Sequence, residues 1–191
     1  MRVIAGTAKG VPLRAPKGVT RPTTDRVREA VFSRLADWAG TGGEPAARQL
    51  VGLSLLDLYA GSGAVAIEAM SRGAGQAVCV DSAAPAVAAA RSNALTAGLS
   101  VDVVRALVVV FLNGAPTPFD IVWLDPPYDL PDEAVDKVIA LVSNGWLVPG
   151  GLIAVERSAR GREPRWPAGL SLVSSRRYGE TVVSYAQEDA S

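Results

Sequence analysis

Leu55-Leu56-Asp57-Leu58-Tyr59-Ala60-Gly61-Ser62-Gly63 is the stretch on which the fold turns. An apolar run of this length reads as a strand buried on both faces, as found inside a parallel sheet. The two glycines that follow form a tight turn where a ligand can approach the backbone. The small apolar residues of 64–72 then read as a helix whose first amides face polar or negatively charged groups. Strand, glycine turn and helix in that order open a βα unit, and the same alternation continues downstream. Taking the first strand as 54–59, further strands are expected at 77–80, 101–104, 120–124 and 152–155, with helices at 64–72, 84–97 and 132–143. The valines of 107–112 favour a strand, but their place between two strands argues for a short crossover helix, which is the expectation. The tail adds strands at 171–176 and 181–186, joined through Tyr178-Gly179-Glu180 as an antiparallel hairpin at the sheet edge.

Upstream of the quoted stretch the pattern differs. Residues 39–50 contain Gly40, Gly42, Gly43 and Pro45 and read as part of a linker over 39–52. Residues 24–38 form an amphipathic helix, with Val27, Ala30, Val31, Leu35 and Trp38 on one face and a hydroxyl N-cap supplied by Pro22-Thr23-Thr24-Asp25. Arg26 and Arg34 lie on the opposite face, and Arg28 and Glu29 toward its edges. Val3-Ile4-Ala5 and 11–14 flank the glycine-bounded turn Gly6 to Gly10 as a small hairpin. The expected organisation is therefore a hairpin and helix extension (1–38), a linker (39–52) and an α/β domain (53–191).

Composition narrows the chemistry. The 191 residues are 49% hydrophobic and 20% charged, enough apolar surface to build a core. Cys79 is the single cysteine, so no disulfide forms within the chain, and with no histidine neither a Cys/His zinc site nor a histidine-based hydrolase can be built. No run reaches the roughly 18 apolar residues of a membrane span, and the N-terminus lacks an apolar stretch of signal-peptide length. A soluble, cytoplasmic, monomeric protein without a metal is expected. Formal net charge is zero, with 19 basic and 19 acidic groups. That sum hides segregation. Residues 1–35 carry eight basic groups against Asp25 and Glu29, a balance of +6; residues 36–156 stand at −8 and residues 157–191 at +2. A basic arm precedes an acidic body, and such an arm suits the phosphates of a nucleic acid.

Two further features carry the chemistry. Val78-Cys79-Val80-Asp81 places an acid 18 residues after Gly63 at the end of the next strand, where nucleoside-binding α/β folds grip a ribose diol. Ile121-Val122-Trp123-Leu124-Asp125-Pro126-Pro127-Tyr128 ends a strand in an acid, fixes the backbone with two prolines and adds an aromatic. Asp125 and the Pro126 carbonyl can accept both hydrogens of an exocyclic amino group while Tyr128 offers a face for a base.

Asp125-Pro126-Pro127-Tyr128 resembles the tetrapeptide of S-adenosylmethionine-dependent methyltransferases that act on amino groups of bases. With Arg2-Val3-Ile4-Ala5-Gly6, the run Arg21-Pro22-Thr23-Thr24-Asp25-Arg26-Val27-Arg28-Glu29-Ala30-Val31-Phe32 and Tyr178-Gly179-Glu180-Thr181, the chain is similar over nearly its whole length to the bacterial small-subunit (16S) ribosomal RNA guanine-N2 methyltransferases of the RsmD type. The resemblance implies a class I methyltransferase fold, a Rossmann-like, mostly parallel seven-stranded sheet with helices on both faces and an antiparallel C-terminal hairpin. It implies S-adenosyl-L-methionine as cofactor, held by Asp57, Tyr59, Gly61, Ser62, Gly63, Asp81 and Ser82, with Thr23 and Thr24 against its carboxylate. Catalysis falls to Asp125, Pro126, Pro127 and Tyr128, and RNA binding to Arg2, Lys9, Arg14, Lys17, Arg21, Arg26 and Arg28. The implied partner is 16S ribosomal RNA or the assembling small subunit, with guanine 966 as the target. One departure is that Arg105-Ala106 stands where a polar residue near the cofactor adenine is often found. Three other readings stay open: an adenine-N6 methyltransferase, a nicotinamide-dependent oxidoreductase suggested by Gly61-Ser62-Gly63 continuing to Ala66, and a non-catalytic ribosome-assembly factor.

Overall fold

The computed structural model describes residues 1–16 and 24–189. Among these, seven strands form one sheet: β1 (Ser54–Leu58), β2 (Gln76–Asp81), β3 (Asp102–Arg105), β4 (Phe119–Leu124), β5 (Leu147–Ser158), β6 (Leu170–Tyr178) and β7 (Thr181–Glu188). Their order across the sheet is β3-β2-β1-β4-β5-β7-β6. The first five pair in parallel, while β7 runs antiparallel to both β5 and β6. Strand order therefore reverses between β1 and β4, the switch point where open α/β sheets place their ligands.

The helices are α1 (Asp25–Trp38), α2 (Ala64–Ser71), α3 (Ala84–Ala97), α4 (Val108–Leu112) and α5 (Asp132–Val142). They cover both faces. One core joins Leu56, Leu58, Val122 and Ile153 to α4 and α5. The other joins Leu55, Ile121, Trp123 and Tyr185 to α1 and α2. The ambiguous segment 107–112 is helical because Val108 and Leu112, one turn apart, are buried while Val109 and Val110 face water. Spacing outweighs the β preference of valine there. Among the described residues no helix is long and apolar enough to cross a membrane.

Several boundaries differ from the sequence reading. β5 runs from Leu147, not 152, because a register shift between Phe119 and Ile121 lets Gly150 and Gly151 stay in the strand as an irregularity. At its other end Glu156, Arg157 and Ser158 read as polar but pair with Val183, Val182 and Thr181. Residues 39–52, expected as a linker, are held down: Leu50 is buried in the second core, and the Thr41 hydroxyl donates to the Gln49 carbonyl at 2.6 Å.

The N-terminal hairpin forms with a single antiparallel bridge between Arg2 and Pro12. Val3, Ala8 and Leu13 pack against Ala64, Ile67 and Ala94 of the neighbouring helices. Gly6 must be glycine there, because its φ is +85° and a Cβ would lie 1.8 Å from the Ser71 carbonyl oxygen. Thr24 is the N-cap of α1, its hydroxyl accepting from the Val27 amide at 3.3 Å. Arg28, expected among the RNA-facing cations, is corrected: its side chain is 1% exposed. α1 turns it inward to Asp25 at 3.1 Å, to the Arg2 carbonyl and toward Glu68.

Candidate active site

Parallel pairing brings the carboxyl ends of β1, β2 and β4 to one edge of the sheet. The acids Asp57, Asp81 and Asp125 therefore meet around one cavity of about 650 Å³. Its lining includes Tyr59, Gly61, Ser62, Ser82, Trp123 and the whole of Asp125-Pro126-Pro127-Tyr128. Three separate sequence readings, the Asp57 and glycine-turn stretch, Asp81 and the tetrapeptide, thus fall on a single hollow.

The glycine turn is built for close approach. Gly63 is the N-cap of α2 with φ +72°, and a Cβ there would stand 3.0 Å from the Ala90 Cβ and 3.4 Å from the Cys79 sulfur. Cys79 is a buried packing residue behind the turn, its thiol pushed well up by burial. Tyr59, with φ +63°, is the one non-glycine described residue in the left-handed region. Such backbone is costly outside glycine and concentrates at functional sites.

Asp81 holds the turn. One carboxylate oxygen accepts from the Gly61 amide and the other from the Ala83 amide, both at 2.9 Å. Each oxygen keeps a second lone pair, so the acid is fixed in position and still able to accept from a diol. Asp57 is buried and accepts from the Ala66 amide in the first turn of α2 at 3.2 Å. Burial raises its carboxyl well above the usual range; the Ala66 amide opposes this, and the charges of Asp125 and Asp81 add to it. Three acids around one hollow favour a cationic ligand.

The direction of the Asp57 shift has a consequence for stability. The folded chain holds this proton at pH values where the unfolded chain has released it, so folding loses stability as pH rises from about 4 toward the raised native value. Asp57→Asn is expected to unfold later than the parent above that window, with a flatter pH dependence. Urea unfolding of both proteins across pH checks it, and parallel pH profiles would refute it.

Tyr128 is half exposed, and its hydroxyl lies 3.2 Å from the Thr181 hydroxyl at the start of β7. The loop behind it is braced by Arg157, which donates to the Pro127 carbonyl at 3.1 Å and the Leu130 carbonyl at 2.9 Å and pairs with Asp132 at 3.1 Å. Sequence reasoning missed these braces, although the Tyr178-Gly179-Glu180-Thr181 signature contains one of them. Asn93 is a third. Its Nδ2 donates to the carbonyls of both Ser62 and Arg14 at 2.9 Å, and its Oδ1 accepts from the Arg14 amide at 2.9 Å, so one buried side chain ties the basic arm to the glycine turn.

The remaining expected residues divide. Arg2, Lys9, Arg14 and Arg26 are exposed. Thr24, expected near the cofactor carboxylate, uses its hydroxyl on the α1 cap and does not line the cavity. Lys17, Arg21 and Thr23 lie outside the described residues. Beside the ends of β2 and β3, Arg105 donates to the Ser82 carbonyl at 3.4 Å and the Ala106 amide to the Asp81 carbonyl, and Ala83 and Ala86 supply apolar cavity wall.

Comparison with known proteins agrees with this geometry. The ribosomal RNA small subunit methyltransferase D of Escherichia coli (strain K12) is 34% identical over 195 residues, covering 100% of this chain and 91% of its own. The solved structure of yhhF from Escherichia coli superposes with a TM-score of 0.85 at 30% identity, covering 100% of this chain and 99% of that one. A hypothetical protein of Thermus thermophilus gives a TM-score of 0.80 at 30% identity, over 97% and 98%. The family model described as Conserved hypothetical protein 95 matches residues 1–187, and with these full-length relatives the chain belongs to that family, the RsmD-type methyltransferases.

Proposed function

We propose that this protein transfers a methyl group from S-adenosyl-L-methionine to the exocyclic N2 amino group of a guanine in small-subunit ribosomal RNA, at the position corresponding to guanine 966, releasing S-adenosyl-L-homocysteine. The observation that carries the reading is the convergence of Asp57, Asp81, the glycine turn and Asp125 to Tyr128 on one cavity. Family membership and the name of the Escherichia coli relative support the substrate class.

The site fits the cofactor's chemistry. Backbone at Gly61 and Ser62 and the Asp57 carboxyl group would hold the charged amino-acid end, Asp81 the ribose diol, and Ala83 with Ala86 the base. When bound, S-adenosyl-L-methionine supplies an electrophilic methyl group on a sulfonium.

The chain's residues prepare the acceptor. A guanine amino nitrogen is a weak nucleophile because its lone pair is delocalised into the ring. Accepting its two hydrogens at the Asp125 carboxylate and the Pro126 carbonyl favours a pyramidal nitrogen with the lone pair free to attack. Tyr128, held by Thr181, stacks on the base and sets its plane. Once methylated, the acceptor nitrogen beside the Asp125 carboxylate and the Pro126 carbonyl would give up its surplus amino proton to water. Orientation of this kind is worth about 7–11 kcal/mol of the barrier in well-aligned systems. The target must be an unpaired or flipped guanine, because a base inside a helix is out of reach.

Label from S-adenosyl-L-methionine is expected in N2-methylguanosine after nuclease digestion of ribosomal RNA taken from small subunits that lack the modification. Label in N6-methyladenosine would transfer the reading to adenine. Tight cofactor binding with no transfer would make the protein an assembly factor.

A further inference from the structure

We infer that the turn end of the β6–β7 hairpin is a second phosphate-binding surface for the same RNA, an inference that rests on the function proposed above. Residues 157–191 carry a surplus of two positive charges that the site itself does not use. Arg157 is absorbed in bracing the tetrapeptide loop, and Arg162 pairs with Asp132, Glu133 and Asp136. Of the four other arginines of this segment, Arg160, Arg165, Arg176 and Arg177, the last two stand next to the hairpin turn on β6. Both are exposed, and among the described residues neither forms an ion pair. Arg177 Nε donates to the Gly179 carbonyl at 2.9 Å, which fixes the side chain beside the turn. Nearby, Arg160 pairs with Glu180, but at 84% and 60% exposure that pair is weak and easily exchanged for a phosphate.

Topology puts these cations beside the target. β5 runs parallel to β4, so Ser158 and Asp125 end on one edge of the sheet. Ser158 pairs with Thr181, and Thr181 with Tyr178, so the hairpin turn stands on that same edge. The Thr181 hydroxyl touches Tyr128 directly. Arg176 and Arg177 lie two residues and one residue before Tyr178, and as neighbours on a strand they project to opposite faces of the hairpin. A strand of RNA that places its base on Tyr128 therefore has its adjoining phosphates within reach of this turn.

Protection of an exposed sheet edge is the competing account of charges on β6. It fits poorly. The apolar residues of that edge, Leu172 and Val173, are exposed at the opposite end of the strand, while the arginines cluster at the cavity end. With the arm cations Arg2, Lys9, Arg14 and Arg26, the hairpin makes a two-sided hold on the RNA backbone.

The test is Arg176→Glu/Arg177→Glu in the full chain, with Arg176→Lys/Arg177→Lys as the control that keeps charge. The reversal is expected to raise KM for ribosomal RNA at least 10-fold. It should hold kcat within about 2-fold, leave S-adenosyl-L-methionine affinity unchanged, and flatten the slope of log affinity against log salt by about 2. The lysine variant should stay within about 3-fold of the parent. An unchanged KM and salt slope in the reversal variant, with the parent active, would overturn the hairpin surface alone. No methyl transfer to ribosomal RNA by the parent would overturn the proposed function and this surface with it.

Discussion

Asp125→Ala is expected to lower kcat for methyl transfer by about 10²–10³-fold, the range seen when one preorganised hydrogen-bonding group is removed from a reacting centre. The reason is geometric. Asp125 follows β4, whose last residues pair with Leu55 to Leu58, and its own amide reaches the Leu58 carbonyl, so the carboxylate is set by the most buried part of the sheet. No other acid lies beside Pro126 in the tetrapeptide to replace it. Cofactor affinity should change far less than kcat, since the glycine turn is held by Asp81 rather than by Asp125. Removing its charge also withdraws one of the influences that raise the Asp57 carboxyl, so that group should titrate lower in the variant. Asp125→Asn keeps one carbonyl acceptor and should lose less. Single-turnover transfer with cofactor titration separates the two effects, and wild-type turnover in the alanine variant would refute the assignment.

Glu68→Ala is expected to destabilise the fold by about 3–5 kcal/mol, the cost of leaving a buried charge without its partner. Glu68 is 0% exposed. One carboxylate oxygen accepts from Arg72 at 2.9 Å and the Ala5 amide at 3.0 Å; the other accepts from the Ile4 amide at 2.7 Å and faces Arg28 at 3.9 Å. Arg72 in turn donates to Gln49 at 2.7 Å and stands over the Phe32 ring. A single carboxylate on α2 therefore fastens the hairpin, α1 and residues 39–52 to the sheet domain. Without it Arg28 and Arg72 stay buried with reduced compensation, and two amides lose their acceptor. The desolvation that already lowers the Arg28 pKa would then act without its main opposing charge. For a chain of this size the loss corresponds to a fall in Tm of roughly 6–20 °C. Glu68→Gln preserves shape and should cost less. Thermal and urea unfolding measure it, and a loss below about 1 kcal/mol would show that the clamp is dispensable.

Much of the site is legible in the sequence because its signals are local. A glycine pair permits left-handed backbone, consecutive prolines stiffen an extended segment, and an acid at a strand end needs only strand length to be placed. The strand pattern alone assigns Asp57, Asp81 and Asp125 to one edge, and they do share one cavity. Arg28 shows where that reasoning stops. Spacing on α1 puts it toward the edge of the polar face, yet its surroundings depend on a glutamate 40 residues away and on a hairpin carbonyl 26 residues before it.

The sequence by itself determined the strand and helix succession, the glycine turn, the acids and the tetrapeptide, since each follows from periodicity or backbone freedom within a few residues. Tertiary structure decided which charges face water and which brace the interior. Glu68, Asn93 and Arg157 have no local signature, and they act on partners 64, 79 and 30 residues distant along the chain; Thr181 belongs to a readable signature, but its partner Tyr128 lies 53 residues away. A buried polar group is tolerable only when its bonds are met, and where those bonds are found is settled only once the sheet has assembled.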